Sequence, residues 1–564
     1  MVNMQSTLIS KRLSLAFGLI VVVAAILTFR LFQKQVIEHE AYAASAENQY
    51  ILKKELPAGR GKIYASDMFP LATNTQYYQV LAVPQNIKNP DQAAEELAPI
   101  IDIPKNEIFA SINNDKQYKL LKHGLTEEEG DKIAAMKIQG IMVLPEASRV
   151  YPEKTLAAQA LGFVNKDGDG QYGIEGYFND ELKGSGGEIF AEKDIRGRLF
   201  NIGERIDPKN GADYILTIDH NIQYQAEAVL KKAVEKYQAD SGLIVIMDPK
   251  TGGIYAIAGD PTYDPNKFNE VPQEEQSRFS IPAIASAWEP GSVFKPLIMA
   301  AAINEGKVTP ETEGVFSNSV IVDSYEIHTA TDQAFGKETM TQVLENSDNV
   351  AMVWVSEELG KEKEFQYLKD YGFGRKTGIE LDTETEGKVL ALKEWSNTQR
   401  ATIAFGQGIS VTPVQLVSAM ASIANGGKIM KPYIVAETID ANGHKDIRGP
   451  QEIKKVLSEE TAKKVADMMV SVVVNGHGKK AAVSGYRVAG KTGTAQVPKP
   501  GGGYYTDRHI GSFAGFAPAD DPKFVMLVRL DQPKNVKWAE ESAAPTFGEM
   551  AAWLLDYFRV PPQQ

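Results

Sequence analysis

The hydrophobic pattern divides the chain into three stretches of different character. From Leu13 to Phe29 it reads LSLAFGLIVVVAAILTF, with no charged residue. Lys11 and Arg12 precede this run, and Arg30, Leu31 and Phe32 follow it. With Arg30 snorkelling, the run reaches the roughly 20 residues that a bilayer span needs. It predicts a transmembrane anchor over 13–32 behind a short cytoplasmic tail, 1–12. Basic and no acidic residues before the span orient the N-terminus inward and send the rest of the chain outward. The alternative is a signal peptide cleaved near Ala44-Ser45-Ala46. Charged Arg30, Lys34, Glu38 and Glu40 separate that site from the apolar run, which favours an uncleaved anchor.

The second stretch, 33–215, reads as a separate β-rich module. Tyr77 to Val83 (YYQVLAV) suits a strand. Residues 85–145 are richer in helix formers and charge. Asn165 to Gly176 resembles the start of a calcium loop, but Glu175 falls one place early for the bidentate ligand, so a turn is expected. Asp207 to Gly211 is turn-rich and marks a boundary.

In the third stretch, 216–564, Asp219 caps a helix to about Tyr237, with Ile222, Ala226, Val229, Leu230 and Val234 on one side. Leu243–Met247 and Ile254–Ala258 flank the turn at Asp248–Gly252 and predict a β-hairpin. A long region of mostly helical pattern follows, with glycine joints at 372, 374, 406 and 408. Strand patterns return only at Tyr486–Val497, Gly511–Ala517 and Phe524–Leu530, before a final helix at about Thr546–Phe558. The fold class is therefore α+β. One five-stranded sheet takes two strands from before a large helical insertion and three from after it, with helices over its faces.

Composition narrows the chemistry. A chain of 564 residues is too long for one core. A net charge of −13 argues against nucleic-acid binding. The lack of cysteine excludes disulfides and thiolate catalysis. No two of the seven histidines lie within a helical turn of each other, so no local metal site is visible and neither metal nor cofactor is expected.

One constellation remains. Glu289-Pro290-Gly291-Ser292-Val293-Phe294-Lys295 opens an apolar helical run, Leu297 to Ile303. On a helix, residues three apart share a face. A serine alcohol needs a nearby base, and a lysine serves only when neutral, a state favoured by burial and by a second cation. Ser-x-Asn occurs at Ser347-Asp348-Asn349 and again at Ser111-Ile112-Asn113. Lys-Thr-Gly starts at Lys250, Lys376 and Lys491. The first copy reads as a hairpin turn and the second as a loop. Lys491-Thr492-Gly493-Thr494 lies in a long strand pattern, where a backbone row can receive an extended peptide. Gly493 lets that strand approach the nucleophile closely.

Ser292/Lys295, Ser347/Asn349 and Lys491/Thr492/Gly493, in that order, match the signature of penicillin-recognising serine enzymes. Residues 213–560 resemble the transpeptidase domain of class B penicillin-binding proteins. Further marks are Met247–Gly252, Pro261–Asn266, Trp288–Ser292, Phe405–Gly408 and Thr412-Pro413. The second stretch resembles that family's pedestal, or dimerisation-type module, at Arg60–Tyr64, Arg149–Pro152 and Gly173–Glu175. It departs at Ala65-Ser66, where the family usually has Asp-Arg.

The resemblance implies a peptidoglycan D,D-transpeptidase of the bacterial cell membrane, single-pass, with its catalytic domain outside. Ser292 is then the nucleophile, Lys295 its base, and Ser347 with Lys491 the route of the proton to the leaving amine. Asn349 holds a substrate amide, and Thr492 and Thr494 the terminal carboxylate. The backbone N–H groups of Ser292 and Thr494 form the oxyanion hole. Stem peptides ending in D-Ala-D-Ala and β-lactams are the implied ligands. An integral membrane glycan polymerase and divisome proteins are the implied partners, and septal synthesis the implied setting. Alternatives are an elongation-type transpeptidase, a D,D-carboxypeptidase or β-lactamase, and a non-catalytic wall-synthesis scaffold.

Overall fold

The computed structural model describes residues 2–40, 51–114, 119–193, 199–499 and 503–562; Ala44-Ser45-Ala46 lies outside them. Two compact units emerge, residues 1–59 with 184–210, and residues 60–183 with 211–564. Among the described residues the first unit holds a helix, Val2–Phe32, continued by a helical turn, Gln33–Ile37; the stretch Arg12–Ile37 within them is long and apolar enough to cross a membrane. It also holds an antiparallel three-stranded sheet with Gly187–Lys193 between Ile51–Leu56 and Leu199–Ile206.

In the second unit, Tyr77–Ala82 is the end of a longer strand, Pro70–Ala82, which pairs with Ile141–Val150 and Lys119–Leu125. Val80, Leu97, Ile108 and Ile133 close a small core beneath it. Asn165–Gly168 is a turn, its Asn165 Oδ1 taking the N–H groups of Asp167 and Asp169. Glu175 is fully buried. Its carboxylate takes Arg60 at 2.7 Å, Arg149 at 2.6 Å and the Tyr151 hydroxyl at 3.1 Å. The cluster ties the strand entry at Arg60 to the helical turn Gly173–Tyr177.

The larger core is built on helix α1 (His220–Tyr237) and a five-stranded antiparallel sheet. Its strands are β1 (Ser241–Met247), β2 (Ile254–Asp260), β3 (Ala489–Pro498), β4 (Tyr504–Ala517) and β5 (Phe524–Asp531). Asp219 caps α1 through the N–H groups of Asn221 and Ile222. The strand order is β2-β1-β5-β4-β3, which leaves β3 at an edge. Side chains alternate between two cores, as strand geometry requires. Ile244 and Ile246 of β1 pack with α1 and the final helix Ala543–Tyr557. Leu243, Val245 and Met247 join the core of helices Lys295–Asn304, Pro413–Ala424 and Glu459–Val474.

The insertion is less helical than its pattern predicts. It carries the strand pairs Glu313–Phe316 with Gly336–Thr339, Ser319–Val322 with Tyr325–His328, and Lys428–Met430 with Glu452–Lys455. Val435–Ile439 pairs with Asp213–Leu216. These strands are three to five residues long, and Glu452–Lys455 is exposed throughout, so no alternating apolar face marks them.

Glu175→Leu would leave two guanidinium groups in a dry site without their anion. Losing one partner of a buried pair costs about 3–5 kcal/mol. We expect a clear drop in the urea midpoint of the detergent-solubilised chain.

Candidate active site

Gly291 has φ +62° and starts a 3₁₀ turn, Gly291–Phe294, that runs into helix Lys295–Asn304. Ser292 therefore sits in a 3₁₀ turn ahead of the α-helix. At about three residues per turn, positions i and i+3 eclipse, so Ser292 and Lys295 align closely. From Gly291 to Ile303 every residue is buried except Ser292, which is partly exposed. The turn is pinned from outside. Gly291 N–H donates to Gly406 O at 3.0 Å, and Trp288 and Val411 exchange backbone bonds at 3.0 Å. A Cβ on Gly406 would lie 2.2 Å from Gly291 O, so only glycine fits there.

Ser347 follows helix Met340–Glu345 with φ +56°, unusual for a residue with a side chain. Asp348 then caps helix Asn349–Leu359 by accepting from Val350 N at 2.7 Å and Ala351 N at 3.1 Å. This turn presents three oxygens to one amine. Lys295 Nζ donates to Ser347 O at 2.5 Å, lies 2.8 Å from Asn349 Oδ1, and is 3.2 Å from Ser347 Oγ. Asn349 Nδ2 donates to His328 O at 3.0 Å. Asn349 thus positions Lys295 as well as facing the cleft.

Lys491 reaches the same hydroxyl from β3, with Nζ 2.9 Å from Ser347 Oγ and 3.2 Å from Thr492 O. Both lysines are fully buried. Burial first, and then the Lys491 charge, push Lys295 well below the ordinary lysine range, against the pull of Asp348 and Glu338. Burial brings Lys491 down to about 7, opposed by Glu540. The other two Lys-Thr-Gly copies lie elsewhere. Lys250 is an exposed turn residue paired with Asp521, and Lys376 is exposed in a loop.

Thr492 is buried and Thr494 partly exposed. Thr494 Oγ1 already takes Ala539 N–H at 3.1 Å, leaving its own hydrogen to donate. A cavity of about 1110 Å³ opens beside it, lined by Thr494, Asn349, His328, Phe405 and Trp538 among others. Glu289 has a role that the sequence reading left unassigned. Its carboxylate accepts from Gly408 N at 3.0 Å and the Tyr504 hydroxyl at 2.8 Å, joining the Ser292 turn to the glycine-rich loop and to β4. Its position two residues before Gly291 was a visible signal; its two partners were not.

A Cβ on Gly493 would meet Val293 Cγ1 and Ser512 Oγ at 2.8 Å and Pro290 O at 3.1 Å. Gly493→Ala must push β3 away from the Ser292 turn. We expect penicillin acylation to slow by about 100-fold, since a shift of about 1 Å costs that much. Stopped-flow acylation, with thermal melting as a folding control, measures it.

Two family models match the chain, the penicillin-binding protein transpeptidase domain over residues 242–552 and the penicillin-binding protein dimerisation domain over 55–216. Stage V sporulation protein D of Bacillus subtilis is 35% identical over 559 residues, 98% of this chain and 86% of that protein. Peptidoglycan D,D-transpeptidase FtsI of Buchnera aphidicola is 31% identical over 95% of this chain and 93% of its own length. Among solved structures, penicillin binding protein 3 of Mycobacterium tuberculosis complexed with aztreonam has a TM-score of 0.72 at 28% identity, covering 91% of this chain and 98% of that one. With matches over the whole catalytic core and relatives aligned along nearly its full length, the chain belongs to the penicillin-binding protein transpeptidase family.

Proposed function

We propose that this chain is a membrane-anchored peptidoglycan D,D-transpeptidase acting through a Ser292 acyl-enzyme. The observation that carries the reading is the convergence of two buried lysines on the Ser347 hydroxyl beside the Ser292 turn. A neutral Lys295 takes the Ser292 proton as Oγ bonds to the penultimate D-alanine carbonyl. The amide C–N bond then breaks, and Ser347, bridging to Lys491, returns a proton to the departing D-alanine amine. In the second half a stem-peptide amine attacks the ester. The new C–N bond forms, and the Ser292 oxygen leaves and regains its proton. The open edge of β3 offers backbone groups to the extended donor peptide. Backbone N–H groups of Ser292 and Thr494 meet the oxyanion, and the Thr494 hydroxyl the terminal carboxylate.

The anchor is Arg12–Ile37, with the N-terminus inside, as Lys11 and Arg12 suggest. The catalytic unit then faces the wall. Septal synthesis is the favoured setting. Support comes from the FtsI relative. An integral membrane glycan polymerase and divisome proteins are the proposed partners, and co-purification tests them.

Ser292→Ala should abolish covalent labelling by fluorescent penicillin and fail to support growth. A variant that loses labelling yet sustains growth would point to a scaffold. Rapid turnover of penicillin by the wild type would instead point to a hydrolase.

The lysine directions set the pH dependence. The base must be neutral, so acylation rises with pH as Lys295 gives up its proton. Lys295 lies well below the ordinary 10.5, and the charge of Lys491, which titrates at about 7, is one cause of that lowering, so the two groups are coupled. The midpoint of the rise belongs to the pair. Stopped-flow acylation should show a half-maximum well below that ordinary value. Lys295→Arg, with a guanidinium that stays charged, should lose acylation by about 1000-fold or more.

A further inference from the structure

Within range of the Lys295 amine the fold buries two carboxyl groups against each other. Glu338 lies on the strand Gly336–Thr339 and is 3% exposed; Asp348, the cap of helix Asn349–Leu359, is fully buried. One oxygen of each is accounted for. Glu338 Oε1 accepts from Asn346 Nδ2 at 2.6 Å, and Asp348 Oδ1 accepts the two capping N–H groups. Glu338 Oε2 and Asp348 Oδ2 are buried with no other donor, and the two carboxyls are within hydrogen-bonding reach of each other. Two carboxylates so placed repel, and neither free oxygen has an N–H to accept. A single proton between them removes the repulsion and satisfies both. This inference rests on the transpeptidase reading of the site.

We propose that Glu338 and Asp348 share one proton as a buried acid dyad, and that the dyad is a positioning and charge-setting element for Lys295. Asp348 serves two ends at once. Its backbone lies between Ser347 and Asn349, which hold the Lys295 amine, and its side chain carries one half of the dyad. The other charged groups facing the dyad are few. Glu345 of helix Met340–Glu345 adds negative charge, and its own carboxylate takes the Ser471 hydroxyl from helix Glu459–Val474. Lys337, next to Glu338, turns outward to Glu313 on the paired strand. Lys295 faces both carboxyls, with Lys491 beyond it.

The charge states order the consequences. With its proton the dyad carries one negative charge, and without it two. Burial and Asp348 push Glu338 up to about 7, so the second charge develops near neutrality. That charge favours the ammonium form of Lys295, opposing the loss of its proton as pH rises. The dyad thereby damps the response of the base to pH. Glu338→Gln donates an amide hydrogen to Asp348 and fixes the pair at one negative charge. Asp348→Asn keeps a capping oxygen and does the same from the other side. The double variant removes the charge altogether.

Two measurements on the detergent-solubilised full-length chain test this. The first is the pH profile of penicillin acylation. The acid limb should move to lower pH by roughly one unit in Glu338→Gln, similarly in Asp348→Asn, and further in the double variant. The second is the melting temperature against pH, which does not depend on Lys295 being the base. A carboxyl raised from 4.5 in the unfolded chain to about 7 in the folded one keeps its proton longer when folded. Stability therefore falls as pH rises through that window. Glu338→Gln removes this share, so the difference in Tm between variant and wild type should grow with pH across it. Buried Glu227 and Glu364 slope the same way in both proteins and cancel. A Tm difference constant with pH would overturn the shared proton. A growing Tm difference with an unmoved acid limb would overturn the coupling to Lys295. A wild type without an acid limb would count against Lys295 as base, and the Tm arm would still decide the dyad. If Glu338→Gln does not fold, Asp348→Asn carries both measurements.

Discussion

Two amines buried around one hydroxyl set the terms for the rest of the catalytic unit. An ammonium moved from water into a dry core costs several kcal/mol even after relaxation. Lys295 and Lys491 both lie in such a core and both point at Ser347 Oγ. A hydroxyl has one hydrogen to donate and two lone pairs. If both amines were charged, Ser347 could only accept, and its hydrogen would have to turn elsewhere. If Lys295 is neutral, its two hydrogens match the two short contacts, Ser347 O and Asn349 Oδ1. Its lone pair is then free for a proton from Ser292 or Ser347, while Lys491 donates from the other side. With Lys295 neutral, its two hydrogens and the Ser347 hydroxyl can all be partnered within the site. Burial that looks unfavourable for a lysine is what would fit Lys295 to the base role proposed for it.

That arrangement tolerates little movement, and the fold supplies stiffness from three directions. The 3₁₀ turn bearing Ser292 is clamped between Gly406 and β3, at contacts where a single added methyl group would clash. The Ser347 turn is fixed by a helix cap at Asp348 and takes a positive φ that the surrounding bonds must hold. Lys491 is carried by a strand whose inner edge is paired with β4 over its length, while its outer edge stays open. Rigidity on one edge and an open row of backbone groups on the other suit the peptide docking proposed for this strand.

The residue types of the site were legible in the sequence because they are local. Ser-x-x-Lys, Ser-x-Asn and Lys-Thr-Gly are short, and strand context alone separated Lys491 from Lys250 and Lys376. The five-stranded sheet was legible too, since its apolar strands frame a long insertion. What the sequence hid is non-local or short. Glu338 lies in a four-residue strand within a region of helical pattern, and only folding brings its carboxyl to Asp348. Glu289 stands inside a recognisable motif, yet its partners Gly408 and Tyr504 are more than a hundred positions away. The left-handed turn at Ser347 has no sequence mark, because serine is an ordinary residue that neighbouring bonds force into it.

The same geometry bears on how an acyl-enzyme formed here would meet an attacking amine. Hydrolysis needs a group aimed to activate water on the ester. The carboxyls described around Ser292 are otherwise engaged. Glu289 is bonded to Gly408 N–H and the Tyr504 hydroxyl. Glu338 and Asp348 are buried. The proton route left is Ser347 between two lysines. In the proposed mechanism it delivers a proton to a departing amine and, by microscopic reversibility, accepts one from an attacking amine. A substrate amine docked along the cleft would meet that relay, while the carboxyls of Glu289, Glu338 and Asp348 are held by other groups or buried.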